Sequence, residues 1–211
     1  MSDRLDMTVM YAMHNRLRRE LQHIAQAATR FDSDPRHIPR AGSDWEHFRG
    51  ALRAHQSAED EALWPVLRRA LEGRPYDLTR LEAMEAEHAA IRSLVRAIDE
   101  TAPTAPGLAP DLFAELTEAL LAGLGAHLDH EEDAVFPLIQ AALGEHQWDR
   151  FRRLHAQRVG PYAPQLLPWL LDGADEQTAA VVLAAVPEPA RRAHLTRTAA
   201  PARSSALPFQ P

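Results

Sequence analysis

The stretches AHQSAEDEALWPVL at residues 54–67 and AHLDHEEDAVFPLI at residues 126–139 decide how the chain folds. His55, Glu59, the acidic residue after it, an aromatic and a proline all return 72 positions later, as His127, Glu131, Glu132, Phe136 and Pro137. In a helix, residues four apart stack on one face. Each H-x-x-x-E therefore points an imidazole and a carboxylate into the same space, where they can share a metal ion. His with carboxylate suits iron, manganese or zinc. Both pairs continue apolar stripes: Phe48, Leu52, Ala62, Val66 and Ala70 for the first, and Phe113, Leu116, Leu120, Leu124, Val135 and Leu138 for the second. The carboxylates thus face a core. An unpartnered charge there is costly, and coordination to a cation is the obvious compensation.

Working outward, two lone histidines stand in the other apolar stripes. His14 belongs to a helix expected over residues 3–30, with Met10, Leu17, Leu21, Ile24 and Ala28. His88 belongs to a helix running to about Ile98, with Leu81, Met84, Ile91 and Val95. Taken singly, a histidine on an apolar face is more often a hydrogen-bonded core residue than a ligand. These two lie 74 positions apart, however, and each is followed by an aliphatic-Arg pair, Leu17-Arg18 and Ile91-Arg92. The repeat unit is a two-helix hairpin, lone His first and H-x-x-x-E second. Four histidines at equivalent positions weigh toward ligands. His23, on the opposite face, reads as solvated.

The boundaries follow from caps and breakers. FDSDPRHIPRAGSD (31–44) closes the first helix, and a Ser43/Glu46 capping box opens the second at about residue 44. That helix reaches about Leu71 and should kink at Pro65, which lacks a donor and clashes with the preceding turn. Gly73 and Pro75 end it, and Thr79 with Glu82 offers a second capping box. After the loop TAPTAPGLAP (101–110), a fourth helix runs from about Asp111 to Leu143, kinked at Pro137. Gly123 and Gly125, costly in a helix interior, mark either close packing beside the site or a weak helix. The expected fold is all-α: an up-down-up-down four-helix bundle over residues 1–145, a helical extension over 146–197 packed on it, and a disordered tail over 198–211. Within the extension, 145–159 reads as an Arg-rich helix, GPYAPQLLPWLLDGA (160–174) as a Pro-punctuated apolar segment and 175–186 as a short helix. Arg191, Arg192, Arg197 and Arg203 form a basic patch read as solvated.

Composition narrows the chemistry. With 211 residues and 45% hydrophobic content the chain can bury one substantial core. It has no cysteine, so disulfides, thiolate catalysis and Cys-held metals are excluded. All 23 basic residues are arginines, which removes Schiff-base chemistry and a P-loop lysine. A net charge of −7 argues against nucleic acid or an anionic membrane as partner. Without a leader-like or spanning segment, the expected location is the cytoplasm. Any metal must be held by His and carboxylate. If Glu59 and Glu131 bridge two ions and His14, His55, His88 and His127 are terminal ligands, each ion receives two imidazoles and two carboxylate oxygens. A solvent oxygen between the ions would make five, leaving an open position on each.

The order His, H-x-x-x-E, His, H-x-x-x-E, with an aromatic-Pro pair after each motif, resembles the hemerythrin-like HHE cation-binding domain in its bacterial form with a C-terminal extension. The resemblance covers roughly residues 5–145. It implies a four-helix bundle around two iron ions with an oxo or hydroxo bridge, manganese or zinc being less suited. It also implies binding of, or reaction with, O2, NO or H2O2, as a sensor or a low-turnover redox protein, including peroxidase-, catalase- or oxidase-like activity. Oxygen-carrying hemerythrins place a second histidine four before the one on the third helix, where this chain has Met84. On the fourth helix they use a longer His-to-acid spacing, where this chain has Glu131 and, one further, Glu132. A more symmetric site follows, which argues against simple oxygen storage. Glu85, His130, Glu132 and Tyr11 are further candidates, as an extra ligand or as partners of the ligands. A ferritin-like count using Glu20, His23, Glu85 and His88 with Glu59 and Glu131 fails, because Glu20 and His23 lie off the stripe. The remaining alternative is a metal-free or zinc-binding interaction module.

Overall fold

The computed structural model describes residues 4–28, 38–101, 110–159, 163–186 and 188–199. All regular structure among them is helical. Helix α1 spans Thr8–Ala28, and α2 spans Ile38–Ala58, continuing through a π-helical turn Glu59–Leu63 into α3, Trp64–Ala70. Helix α4 is Pro75–Thr101. Helix α5 is Pro110–His130, continuing through a π-helical turn Glu131–Val135 into α6, Phe136–Ala142. Four shorter helices follow: α7 Glu145–Val159, α8 Ala163–Leu171, α9 Glu176–Ala185 and α10 Glu188–Ala199.

Two apolar clusters fill the bundle, and their order along each rod gives the topology. One holds Leu17, Leu21, Ile24, Phe48, Leu52, Ile91, Ile98, Phe113, Leu120 and Leu124. The other holds Met7, Met10, Leu63, Trp64, Leu67, Leu81, Met84, Val135, Phe136 and Ile139. α1 enters the second cluster first, α2–α3 the first, α4 the second and α5–α6 the first. The rods therefore run up, down, up and down. In every rod the change from one cluster to the other falls at His14, at His55 and Glu59, at His88, or at His127 and Glu131. These polar residues thus form one layer at mid-height between two greasy halves.

The prolines act closer to this layer than their positions suggest. A kink was expected at Pro65, six residues past Glu59, but the irregularity begins at the glutamate itself. A proline in mid-helix has no N–H and its ring collides with the carbonyl four back. The chain resolves this by widening the preceding turn: Trp64 N–H donates to Glu59 O, five residues back, and Phe136 N–H to Glu131 O. Two expected helix starts move earlier and lose their caps. The backbone is helical from Ile38, with Pro39 in the first turn where a missing donor costs nothing, so Ser43 and Glu46 do not open α2. Likewise α4 starts at Pro75, and Thr79 Oγ1 donates to Pro75 O inside the helix. Close packing does not explain the glycines of α5. A Cβ on Gly123 would meet only Leu94 Cδ1, at 3.9 Å, and one on Gly125 would meet nothing within 4 Å.

The C-terminal helices lie on the bundle, α7 along α2 and α8–α9 against α1. Arg16, on α1, is the anchor: it pairs with Glu20 at 2.7 Å and Asp172 at 3.0 Å, and its guanidinium lies 4.8 Å over the Trp169 ring. Trp169 Nε1 in turn donates to Glu20 Oε2 at 2.8 Å. Glu20 does lie off the bundle stripe, as expected, but it is buried beneath this extension. The segment expected to be punctuated by prolines is helical from Ala163, with Pro168 inside α8. Helix α10 continues to Ala199, and its Arg191 and Arg192 pair with Glu188. The rest of the expected disordered tail, with Arg203, lies outside the described residues, as do residues 31–37 and 102–109 of the two expected loops. No helix among the described residues is long and apolar enough to cross a membrane.

Candidate metal centre

The polar layer brings the four histidines together in two pairs. His14 Nε2 and His55 Nε2 stand 3.0 Å apart, and His88 Nε2 and His127 Nε2 stand 3.1 Å apart. Glu59 lies between the pairs, with Oε1 3.1 Å from His55 Nε2 and Oε2 3.5 Å from His88 Nε2. Glu131 places Oε2 3.3 Å from His14 Nε2. All six side chains are buried, none more than 2% exposed.

Each ring is aimed by what holds its outer nitrogen. His14 Nδ1 donates to Glu132 Oε1, His88 Nδ1 to Asp60 Oδ1 and His127 Nδ1 to Glu87 Oε2, each at 2.8 Å. A carboxylate only accepts, so these three Nδ1 atoms carry a hydrogen and each ring turns its Nε2 inward. Arginines fix the carboxylates in turn. Arg18, four residues after His14, donates to Glu132 at 2.8 Å, and Arg92, four after His88, donates to Asp60 at 2.9 Å. Each lone histidine is thus clamped by the acid that follows the other hairpin's glutamate.

Burial sets the electrostatics of the layer. Burial, then the charges of the neighbouring imidazoles, holds His55 well below its usual value, and burial, then His88, lowers His127 to about 4. Burial also lowers His14, with Glu132 opposing. The glutamates move the other way: burial, then Glu131, raises Glu59 well above the carboxylate range, and burial, then Glu132, pushes Glu131 up to about 8. None of the four oxygens of Glu59 and Glu131 accepts a hydrogen bond. Imidazole nitrogens therefore crowd together in pairs at 3.0 and 3.1 Å, and buried carboxyls face no donor. A cation relieves both. Two donors at adjacent corners of an octahedron with bonds of about 2.1 Å stand about 3.0 Å apart, which is the spacing within each nitrogen pair. His14, His55, Glu59 and Glu131 each offer one donor atom, and these atoms all lie within 4.8 Å of one another. The cluster fits a metal ion, and its donors suit iron, manganese or zinc.

The family model of the hemerythrin HHE cation binding domain matches residues 6–139 of the chain. The chain belongs to that family. Neither the comparison with curated proteins nor the comparison with solved structures gave a match.

The HHE fold brings some of the further candidates to the layer and leaves others out. Glu132 holds His14, and His130 Nδ1 donates to Glu87 Oε1 at 2.8 Å, beside His127. Glu85 does not join the cluster as a ligand in place of the missing histidine. It stands three residues before His88 but turns outward, half exposed and paired with Arg68 at 2.5 Å. Tyr11 is 42% exposed and meets the edge of Phe136, whose ring lies 5.4 Å from His14. His23 is exposed. The acid after each motif glutamate and the arginine after each lone histidine were the sequence signals for Asp60, Arg18 and Arg92, whereas no repeated pattern marks Glu87, which precedes His88 alone. Nor does one mark His155, on α7, whose Nε2 lies 3.4 Å from His55 Nδ1.

Proposed function

We propose that the HHE layer holds two iron ions and that the protein uses them to bind, or react with, a small diatomic molecule or peroxide (O2, NO or H2O2), as a sensor or a low-turnover redox protein. His14 and His55 would hold one ion, His88 and His127 the other, and Glu59 and Glu131 would bridge them. The observation that carries this reading is the pairing of inward imidazole nitrogens around carboxylates that no donor reaches. Iron at such a site supplies redox chemistry and coordination positions that the protein leaves open. The chain supplies the rest: carboxylate-clamped rings that keep their donor atoms fixed, and apolar packing above and below that keeps bulk water from the layer. Metal uptake would expel the protons that burial keeps on Glu59 and Glu131.

An interaction module without metal would leave these carboxyls buried with nothing in return, so the geometry favours the metal reading. The test is elemental analysis of protein expressed with iron, joined to its near-ultraviolet spectrum. About two irons per chain, the stoichiometry of di-iron bundles, with spectral changes on adding oxygen, nitric oxide or peroxide, is the expected result. Zinc alone, or no metal, contradicts it.

A further inference from the structure

Three of the four inward histidines give their outer nitrogen to a carboxylate, and His55 is the exception. The repeat shows why. Glu87, which holds His127, directly precedes His88, and the residue directly before His14 is Met13, buried at 1% exposure. The first hairpin lacks the acid that the second one has. His155 stands in its place, reaching His55 from α7, beyond the span matched by the family model. Its ring meets the His55 ring edge-on, with centroids 5.6 Å apart and planes at 88°, and packs against Phe151 at 5.8 Å. It is 6% exposed and borders an apolar cavity lined by Met10, Met13, Phe151, Leu170 and Val182.

We propose that His155 is a positioning residue of the metal centre: it accepts the N–H of His55 Nδ1 and so turns the His55 Nε2 lone pair inward, as Glu87 does for His127. This rests on the metal reading above. Accepting at Nε2 requires a neutral His155 ring with its own hydrogen on Nδ1. The apolar walls leave few competitors for the bond. The acceptor is uncharged and the separation, 3.4 Å, is longer than the 2.8 Å of the three carboxylate partners. His55 is therefore the least firmly aimed of the four, and α7 is part of the centre rather than a cover over it.

The test compares full-length wild type, His155→Gln and His155→Leu, each loaded with ferrous iron and challenged with a ferrous chelator. Circular dichroism of the metal-free proteins confirms folding, and His155→Ala replaces the Leu variant if that variant does not fold. Loss of the partner should weaken iron binding about 10- to 100-fold. The Gln variant, whose amide oxygen can accept the same N–H, should hold iron nearly as wild type does. The absorption bands of the cobalt(II)-loaded proteins should shift in the Leu variant and stay in place in the Gln variant. Equal retention by all three overturns the proposal, and so does a Gln variant as weak as the Leu variant, since the side chain then only fills space. A wild type that takes up neither iron nor cobalt overturns the metal reading itself, and this inference with it.

Discussion

Glu131 carries the cost of burial in a single side chain. Its carboxyl is raised to about 8 from a usual 4.5 by burial and then by Glu132 and Glu87, so the folded, metal-free protein keeps a proton that the unfolded chain releases. A group raised in this way contributes stability that is fully present below pH 4.5 and is lost as the pH climbs through 8. His127 has the opposite sign: lowered from 6.5 to about 4, it costs stability as the pH falls through 6.5. Between those limits the two residue types oppose each other. As the pH climbs past 6.5 the His127 contribution fades, and that of Glu131 remains. Metal-free protein should therefore lose stability from pH 6.5 to 8, measured by urea melts at each pH, and added iron should remove the decline. A metal-free stability that is flat or rising over that window contradicts the burial of an unneutralised carboxyl.

At the scale of the element, the two H-x-x-x-E helices behave alike down to the π-helical turn that starts on each glutamate. Wide turns of this kind recur at functional sites, and here the proline six residues on supplies the cause. The glycines of α5 have no such reason. With nothing within 4 Å of a Cβ at Gly125, Gly125→Ala should stabilise the protein by roughly 0.5–1 kcal/mol, seen as a raised Tm. A loss would mean that the backbone needs glycine there. What the sequence showed and what it hid divide along this scale. The inward positions of His14, His55, Glu59, His88, His127 and Glu131 were legible because helical period and i,i+4 spacing are local. Glu87 and Asp60 were hidden because they reach across to other helices. Ser43 and Thr79 misled because prolines at Pro39 and Pro75 already start those helices.

For the whole molecule, the C-terminal helices are tied to the bundle through groups far apart in sequence, which no local pattern announces. His155 meets His55 across 100 positions, and Arg16 meets Asp172 across 156. The Arg16–Glu20 pair is almost fully buried beneath Trp169. Removing one member of a buried pair leaves a charge without its partner, so Arg16→Ala should cost roughly 3 kcal/mol. Denaturant unfolding of the full chain reads this directly, and a cost near zero would mean that the extension does not shield the pair. The two cations proposed for the mid-height layer can be located directly. The measurement is an anomalous difference map from crystals of iron-loaded protein, recorded at the iron absorption edge. Two peaks are expected, one beside the Nε2 atoms of His14 and His55 and one beside those of His88 and His127, with Glu59 between them; no peak in that layer, or iron bound only at the surface, would rule the pair out.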